Sequence, residues 1–223
     1  MRLIPGDAVR LLPRFRAESV DLVVTDPPYP TISGGNTTSH RRCSGMLSAN
    51  DGRIFRHNDV APTDWLPQVF RILRDPGHCY IFTNFLNLES MMAAARAAGF
   101  ELHNLLIWRK QNATPNRWYM KNIEYVILAR KGAARRITDA GSMTCHDFEN
   151  PVGRKTHPTE KPVDLLRFYI ENSSGMGQLV LDPFAGTGST LVAARSCGRV
   201  GLGIEIDPEY LATAGRRLGV MPG

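Results

Sequence analysis

The sequence predicts an α/β domain in which a mostly parallel sheet is covered by helices on both faces. Three observations carry that expectation. Short apolar runs of strand type alternate with segments whose apolar residues recur at helical spacing. Runs such as Leu179-Val180-Leu181 are continuous, as expected of strands buried on both sides. One of these strands runs straight into a glycine-rich turn and a helix, an arrangement suited to holding a nucleotide. At 223 residues, with 43% apolar, the chain is long enough for one domain with a sizeable core.

The elements follow in order. Arg2-Leu3-Ile4 reads as a short strand ended by Pro5-Gly6-Asp7, where Asp7 can cap a helix carrying Val9, Leu11, Leu12 and Phe15. Val20 to Val24 is a second strand, interrupted only by Asp21. Residues 30 to about 60 lack periodicity and form an inserted loop, either a functional lid or a surface segment. Trp65, Leu66, Val69, Phe70 and Leu73 mark a helix stopped by Asp75-Pro76-Gly77, then Cys79 to Phe82 is a strand. A helix through Leu88, Met91, Met92 and Ala95 closes at Gly99. Phe100 to Trp108 and Ile123 to Leu128 are strands, separated by a polar stretch, and 130 to 156 reads as a basic loop. Pro162 opens a helix with Leu165, Leu166, Tyr169 and Ile170 on one face. Leu179 to Leu181 and Val200 to Ile206 are the last two strands, each followed by a helix. The total is seven strands.

Two stretches carry chemistry. The first is Thr25-Asp26-Pro27-Pro28-Tyr29-Pro30. Consecutive prolines end the strand at once, fix their own φ and hold the preceding residue extended. The product is a stiff tip with a carboxylate, outward carbonyls and an aromatic ring. Such a tip can grip a planar amine, although Asp-Pro-Pro also serves as an ordinary turn. The second stretch is Asp182-Pro183-Phe184-Ala185-Gly186-Thr187-Gly188. Its glycines allow close approach of a ligand to the backbone, and Glu205 ends the next strand about 20 residues on, where a carboxylate can accept from ribose hydroxyls. No Lys-Ser/Thr follows the glycines, so a phosphate loop is excluded, and the three spaced glycines of a pyrophosphate fingerprint are absent. A ligand with a ribose and a positive centre fits, namely S-adenosylmethionine; a plain strand-to-helix turn is the alternative.

Composition narrows the class further. No run approaches the ~18 apolar residues of a membrane span, and the N-terminus has no extended apolar region. Cys43, Cys79, Cys145 and Cys197 are dispersed with no CxxC pair, so reduced thiols in a cytoplasmic protein without a metal site are expected. The net charge of +6 is compatible with a polyanionic partner.

Together the two stretches resemble the catalytic and cofactor motifs of the amino-group DNA methyltransferases. The catalytic motif comes first, as in the permuted beta group, and His157-Pro158-Thr159-Glu160-Lys161-Pro162 resembles the segment before the cofactor motif there. The resemblance covers about residues 6 to 210. It implies a single domain over residues 1–223, a Rossmann-like, circularly permuted fold, and S-adenosyl-L-methionine as cofactor. Loop insertions at about 30–60 and 130–156 would face DNA. It also implies catalytic roles for Asp26, Pro27, Pro28 and Tyr29. The cofactor would meet Asp182, Phe184, Gly186 and Gly188, with Glu205 on its ribose. Asp7 would lie near its adenine, a position a helix cap explains equally. His157, Thr159 and Lys161 would close over its methionine end, unless that segment is only a helix start.

DNA is the implied partner, with Arg41, Arg42, Arg53, Arg109, Lys110, Asn112, Arg135 and Arg136 as candidate contacts, although each can equally be a solvated charge. Trp108 can line the DNA or belong to the core. The target base would be flipped out and stacked on Tyr29. Without a Pro-Cys nucleophile, carbon-5 cytosine methylation is disfavoured. Asp rather than Ser before Pro-Pro-Tyr favours adenine N6 over cytosine N4. An RNA substrate and a DNA-binding module without catalysis are the other readings. A short recognition site, a homodimer and a restriction-modification setting complete the expectations.

Overall fold

The computed structural model describes residues 1–28, 60–114, 119–149 and 160–220. The elements are β1 (Arg2–Pro5), α1 (Ala8–Leu11) with a 3-10 turn at Leu12–Arg14, β2 (Val20–Thr25), α2 (Pro62–Ile72), β3 (Leu73–Thr83), α3 (Phe85–Ala97), β4 (Glu101–Thr114), β5 (Lys121–Lys131), β6 (Cys145–Asp147), α4 (Val163–Ser173), β7 (Leu179–Asp182), α5 (Ser189–Ser196), β8 (Val200–Glu205) and α6 (Pro208–Leu218). They form one eight-stranded sheet in the order β1-β8-β7-β2-β3-β5-β4-β6. All described strands run the same way except β5, which is antiparallel to β3 and β4.

The expected architecture is present, with one strand more than the seven anticipated. The addition, β6, lies inside the stretch expected to be a basic loop and pairs with β4 at the sheet edge, Asp147 opposite Arg109. Three residues are too few for a periodicity to announce them. Arg130 and Lys131, also assigned to that loop, belong to β5: Arg130 pairs with Glu101, and the buried Lys131 ammonium donates to the Leu73 carbonyl at 2.8 Å. β4 extends through the polar stretch to Thr114, because its partner β5 continues alongside it to Lys121.

The sheet is buried on both faces, as its continuous apolar strands require. Val23 and Ile81 face Trp65, Leu66, Val69 and Ile72 of α2 and Met91 of α3. Leu22, Val24, Tyr80 and Phe82 face Leu165, Leu166, Tyr169 and Ile170 of α4 and Ala193 of α5. Trp108 belongs to this second core, and its indole N–H donates to the Phe148 carbonyl at 3.0 Å. Asp21, the one carboxylate within β2, is buried and satisfied. It accepts from Arg74 at 2.6 Å and from the Leu179 N–H at 2.8 Å, tying the start of β2 to its two neighbours. Among the described residues no helix is long and apolar enough to cross a membrane.

Candidate active site

From β7 the chain crosses α5 to β8 on one side; from β2 it crosses α2 to β3 on the other. β7 and β2 therefore flank the point where the winding of the sheet reverses, and the crevice beyond their carboxyl ends is where such sheets bind ligands. Both chemistry-bearing stretches end there. The Thr25 hydroxyl donates to Asp182 Oδ1 at 2.8 Å, across 157 residues of sequence. Asp26 and the glycine turn thus adjoin, as the sequence reading required.

On the β7 side, Asp182 is buried and takes a further hydrogen bond from the Phe184 N–H at 3.1 Å. Burial pushes its carboxyl up to about 6, in spite of hydrogen bonds from Thr190, Thr25 and Phe184. Its acceptors are engaged by the protein, so it shapes the turn and does not present itself to the crevice. Gly188, at φ +82, is the N-cap of α5. A Cβ there would lie 3.0 Å from the Cβ of Ala214, so both conformation and packing require glycine. At Gly186, φ +52, a Cβ would meet open space. That space is room for a ligand against the backbone.

The next carboxylates continue the row. Glu205, buried at the end of β8, accepts from the Gly186 N–H and the Asp207 N–H, both at 2.7 Å, and burial raises its proton affinity. The Gly6 N–H donates to the Glu205 carbonyl at 2.9 Å, which sets Asp7 beside it. Asp7 itself caps α1 through the Val9 N–H at 2.9 Å. Phe184, half buried, meets the edge of Trp65 with centroids 5.3 Å apart. Asp7, Glu205, Gly186, Phe184 and Asp26 thus line consecutive strand ends.

On the β2 side, the sequence reading missed the most consequential neighbour. Lys161, buried and expected over a cofactor, donates to Asp26 Oδ2 at 2.5 Å and lies 3.3 Å from Glu124 Oε2. Glu124 Oε1 in turn accepts from Lys110. Lys110, expected at DNA, is partly buried and joined to the site through Glu124. Glu124 had a signal: it is the one charge in the apolar run from Ile123 to Leu128. Burial raises the proton affinity of Asp26, Lys161 opposes it and Glu124 adds to it; the net direction is up. Glu160, next to Lys161, pairs with Arg217 of α6 at 2.6 Å, and Arg217 also donates to the Thr187 carbonyl at 2.9 Å, bracing the glycine turn.

The remaining candidates separate by position. Arg109 forms a two-pronged pair with Asp147, at 2.6 and 2.5 Å, near the carboxyl edge of the sheet. Arg135 and Arg136 are corrected: they follow the far end of β5, where Arg135 lies by His78 and helps burial lower its imidazole to about 4. His78 pairs with Leu22, four positions before Asp26, so these arginines are at the opposite end of the sheet. Tyr29, Arg41, Arg42, Arg53, His157 and Thr159 lie outside the described residues, as does the side chain of Asn112.

A family model described as DNA methylase, covering N6 and N4 enzymes, matches residues 20–216. The chain belongs to that family. The methylase is 29% identical to the Type II methyltransferase M2.DpnII of Streptococcus pneumoniae, over 98% of this chain and 89% of that protein. Among solved structures, it is similar to TTHA0409 of Thermus thermophilus complexed with S-adenosyl-L-methionine, with a TM-score of 0.73, 27% identity, and 98% and 93% of the two chains covered. It shares the fold of the M1.HpyAVI–SAM complex, with a TM-score of 0.75 at 21% identity, over 98% of this chain and 99% of that one.

Proposed function

We propose that the methylase transfers a methyl group from S-adenosyl-L-methionine to the exocyclic N6 of a flipped-out adenine in DNA. The observation that carries this reading is the Thr25–Asp182 hydrogen bond, which sets Asp26 beside the glycine turn at one crevice. Asp26 Oδ2 is held by Lys161, while Oδ1 has no hydrogen-bond partner among the described residues. One carboxylate oxygen is thus fixed, and the other is a buried acceptor whose hydrogen bond is still to be made, the role this reading gives to the target amine.

The chain's residues fit the cofactor. The open space at Gly186 admits a ligand against the backbone. Glu205 and Asp7 stand along the same edge for ribose and adenine groups, and Phe184 offers a ring face. When bound, S-adenosyl-L-methionine supplies a methyl group on a cationic sulfur, a strong electrophile. An exocyclic amine is a weak nucleophile because its lone pair is shared with the ring. Hydrogen bonds from the amine to Asp26 Oδ1 and to the Pro27 carbonyl localise that lone pair. Asp26 then takes the proton, which becomes acidic only as the new bond forms. A raised proton affinity suits that task. Adenine is preferred because Asp, not Ser, precedes Pro27; N4 of cytosine is the alternative within the family. In this reading Arg109, half exposed beside Asp147 at the carboxyl edge of the sheet, meets a DNA phosphate.

The test is mass analysis of nucleosides from duplex DNA incubated with the protein and labelled cofactor. N6-methyladenine is expected, and Asp26→Asn should lower kcat by about 10²- to 10⁴-fold while cofactor affinity holds. N4-methylcytosine without methyladenine would transfer the assignment to the alternative.

A further inference from the structure

We propose that Glu124 is a positioning residue of the methyl-transfer site, acting on Asp26 through Lys161. The proposal rests on the reading of Asp26 as the group that accepts the target amine. Four charges alternate in a row, Lys110, Glu124, Lys161 and Asp26. The row crosses from β4, next to the sheet edge, to β2 at the sheet's centre; Lys161 is the most buried at 8% exposure and the other three are 20–29% exposed, so solvent screens these charges only in part. They come from β4, β5, the segment before α4 and the end of β2, and the sheet brings them together.

The Lys161 ammonium sits between two carboxylates, 2.5 Å from Asp26 Oδ2 and 3.3 Å from Glu124 Oε2, and 5.4 Å from the centre of the Phe82 ring. A buried lysine paired with Asp26 alone would hold that carboxylate firmly ionised and make it a poor proton acceptor. It would also lose Asp26 as a counter-charge once Asp26 took a proton, a costly change for a buried cation. Glu124 removes both difficulties. It draws off part of the Lys161 charge, and it remains as the counter-ion when Asp26 is neutral. Lys110, on the other oxygen of Glu124, keeps Glu124 itself ionised.

Proton affinities follow the same division. Burial disfavours the ionised form of both carboxylates. At Glu124 the ammonium groups of Lys161 and Lys110 outweigh burial and hold it below the ordinary range, whereas Asp26 is raised. Two carboxylates pushed in opposite directions mark one as a proton acceptor and the other as a fixed charge. Among the described residues the charged groups facing Asp26 are Lys161, Glu124, Lys110 and, from β7, Asp182.

The experiment follows the carboxyl ¹³C signal of Asp26 across pH in labelled full-length protein, in the wild type, Glu124→Gln, Lys161→Met and the double variant. Glu124→Gln removes one of the two carboxylates that share Lys161, and with it a like charge beside Asp26, so Asp26 titrates at lower pH. Lys161→Met removes the opposing cation, so Asp26 titrates at higher pH. On the Lys161→Met background, Glu124→Gln produces less than half the shift it produces alone, since the route through Lys161 is gone. Glu124→Asp keeps the charge and leaves Asp26 near its wild-type titration.

Equal shifts on the two backgrounds, or no shift with Glu124→Gln, would overturn the proposal. In turnover, Glu124→Gln lowers kcat about 10- to 100-fold with KM for DNA and cofactor affinity within about twofold of wild type. An unchanged kcat also overturns it. The titrations need no turnover. Failure of the wild type to methylate adenine therefore strikes the proposed function and leaves the Glu124–Lys161 effect on Asp26 separately measurable.

Discussion

Thr25→Val tests the hydrogen bond that joins the two motifs. Valine nearly matches threonine in volume, so no cavity opens; what disappears is one donor to a buried carboxylate. Thr25 is fully buried and Asp182 is 3% exposed, so no water replaces it. At pH 8 Asp182 is ionised, and loss of a hydrogen bond to a charged acceptor costs ~1.5–3 kcal/mol. The cost depends on pH with a definite sign. The carboxyl of Asp182 rises from 3.8 to about 6 on folding. The native state therefore binds the proton more tightly, and stability falls as pH rises from ~4 to ~6, by up to ~3 kcal/mol.

Without Thr25, the folded-state value rises further and the decline continues to higher pH. The difference between wild type and variant is thus small at pH 5, ~0.5–1 kcal/mol, and reaches its full value at pH 8. Other groups titrate in both proteins and cancel in the difference. Urea denaturation at pH 5 and pH 8 measures it. The same loss at both values, or none at pH 8, would refute the reasoning.

Two further expectations concern the turn and the edge. Gly188→Ala places a side chain at φ +82 against Ala214 and should lower stability by ~1–3 kcal/mol. Gly186→Ala fills open space and should weaken cofactor binding about tenfold by calorimetry, in excess of any loss of stability. Arg109→Ala should reduce the slope of log affinity for DNA against log salt by about 1 in filter-binding titrations, with the urea midpoint unchanged.

The sheet, the glycine turn and the proline tip were legible because each depends on local chemistry. Continuous apolar runs identify buried strands, two prolines end one, and glycines at φ +52 and +82 mark a turn. The ion-pair row was not legible, since Glu124 and Lys161 meet only through the pairing of β3 with β5. Lys110 read as a surface charge for the same reason. Arg135 and Arg136 looked suited to DNA by composition alone, and composition does not say which end of a sheet a loop occupies. β6 exists because β4 offers an open edge, a fact about a neighbour and not about Cys145-His146-Asp147 itself.

The tie between Thr25 and Asp182 has a consequence for biosynthesis. A polypeptide emerging from the ribosome exposes its Asp26-Pro27-Pro28 tip early, yet β7, the strand that must lie beside it, is made more than 150 residues later, and β1 has no partner until β8 follows. Contacts so distant form late, after most of the chain is available. A nascent or prematurely stopped product ending before β7 therefore carries the Asp26 side of the crevice without the glycine-turn side, and the crevice is incomplete.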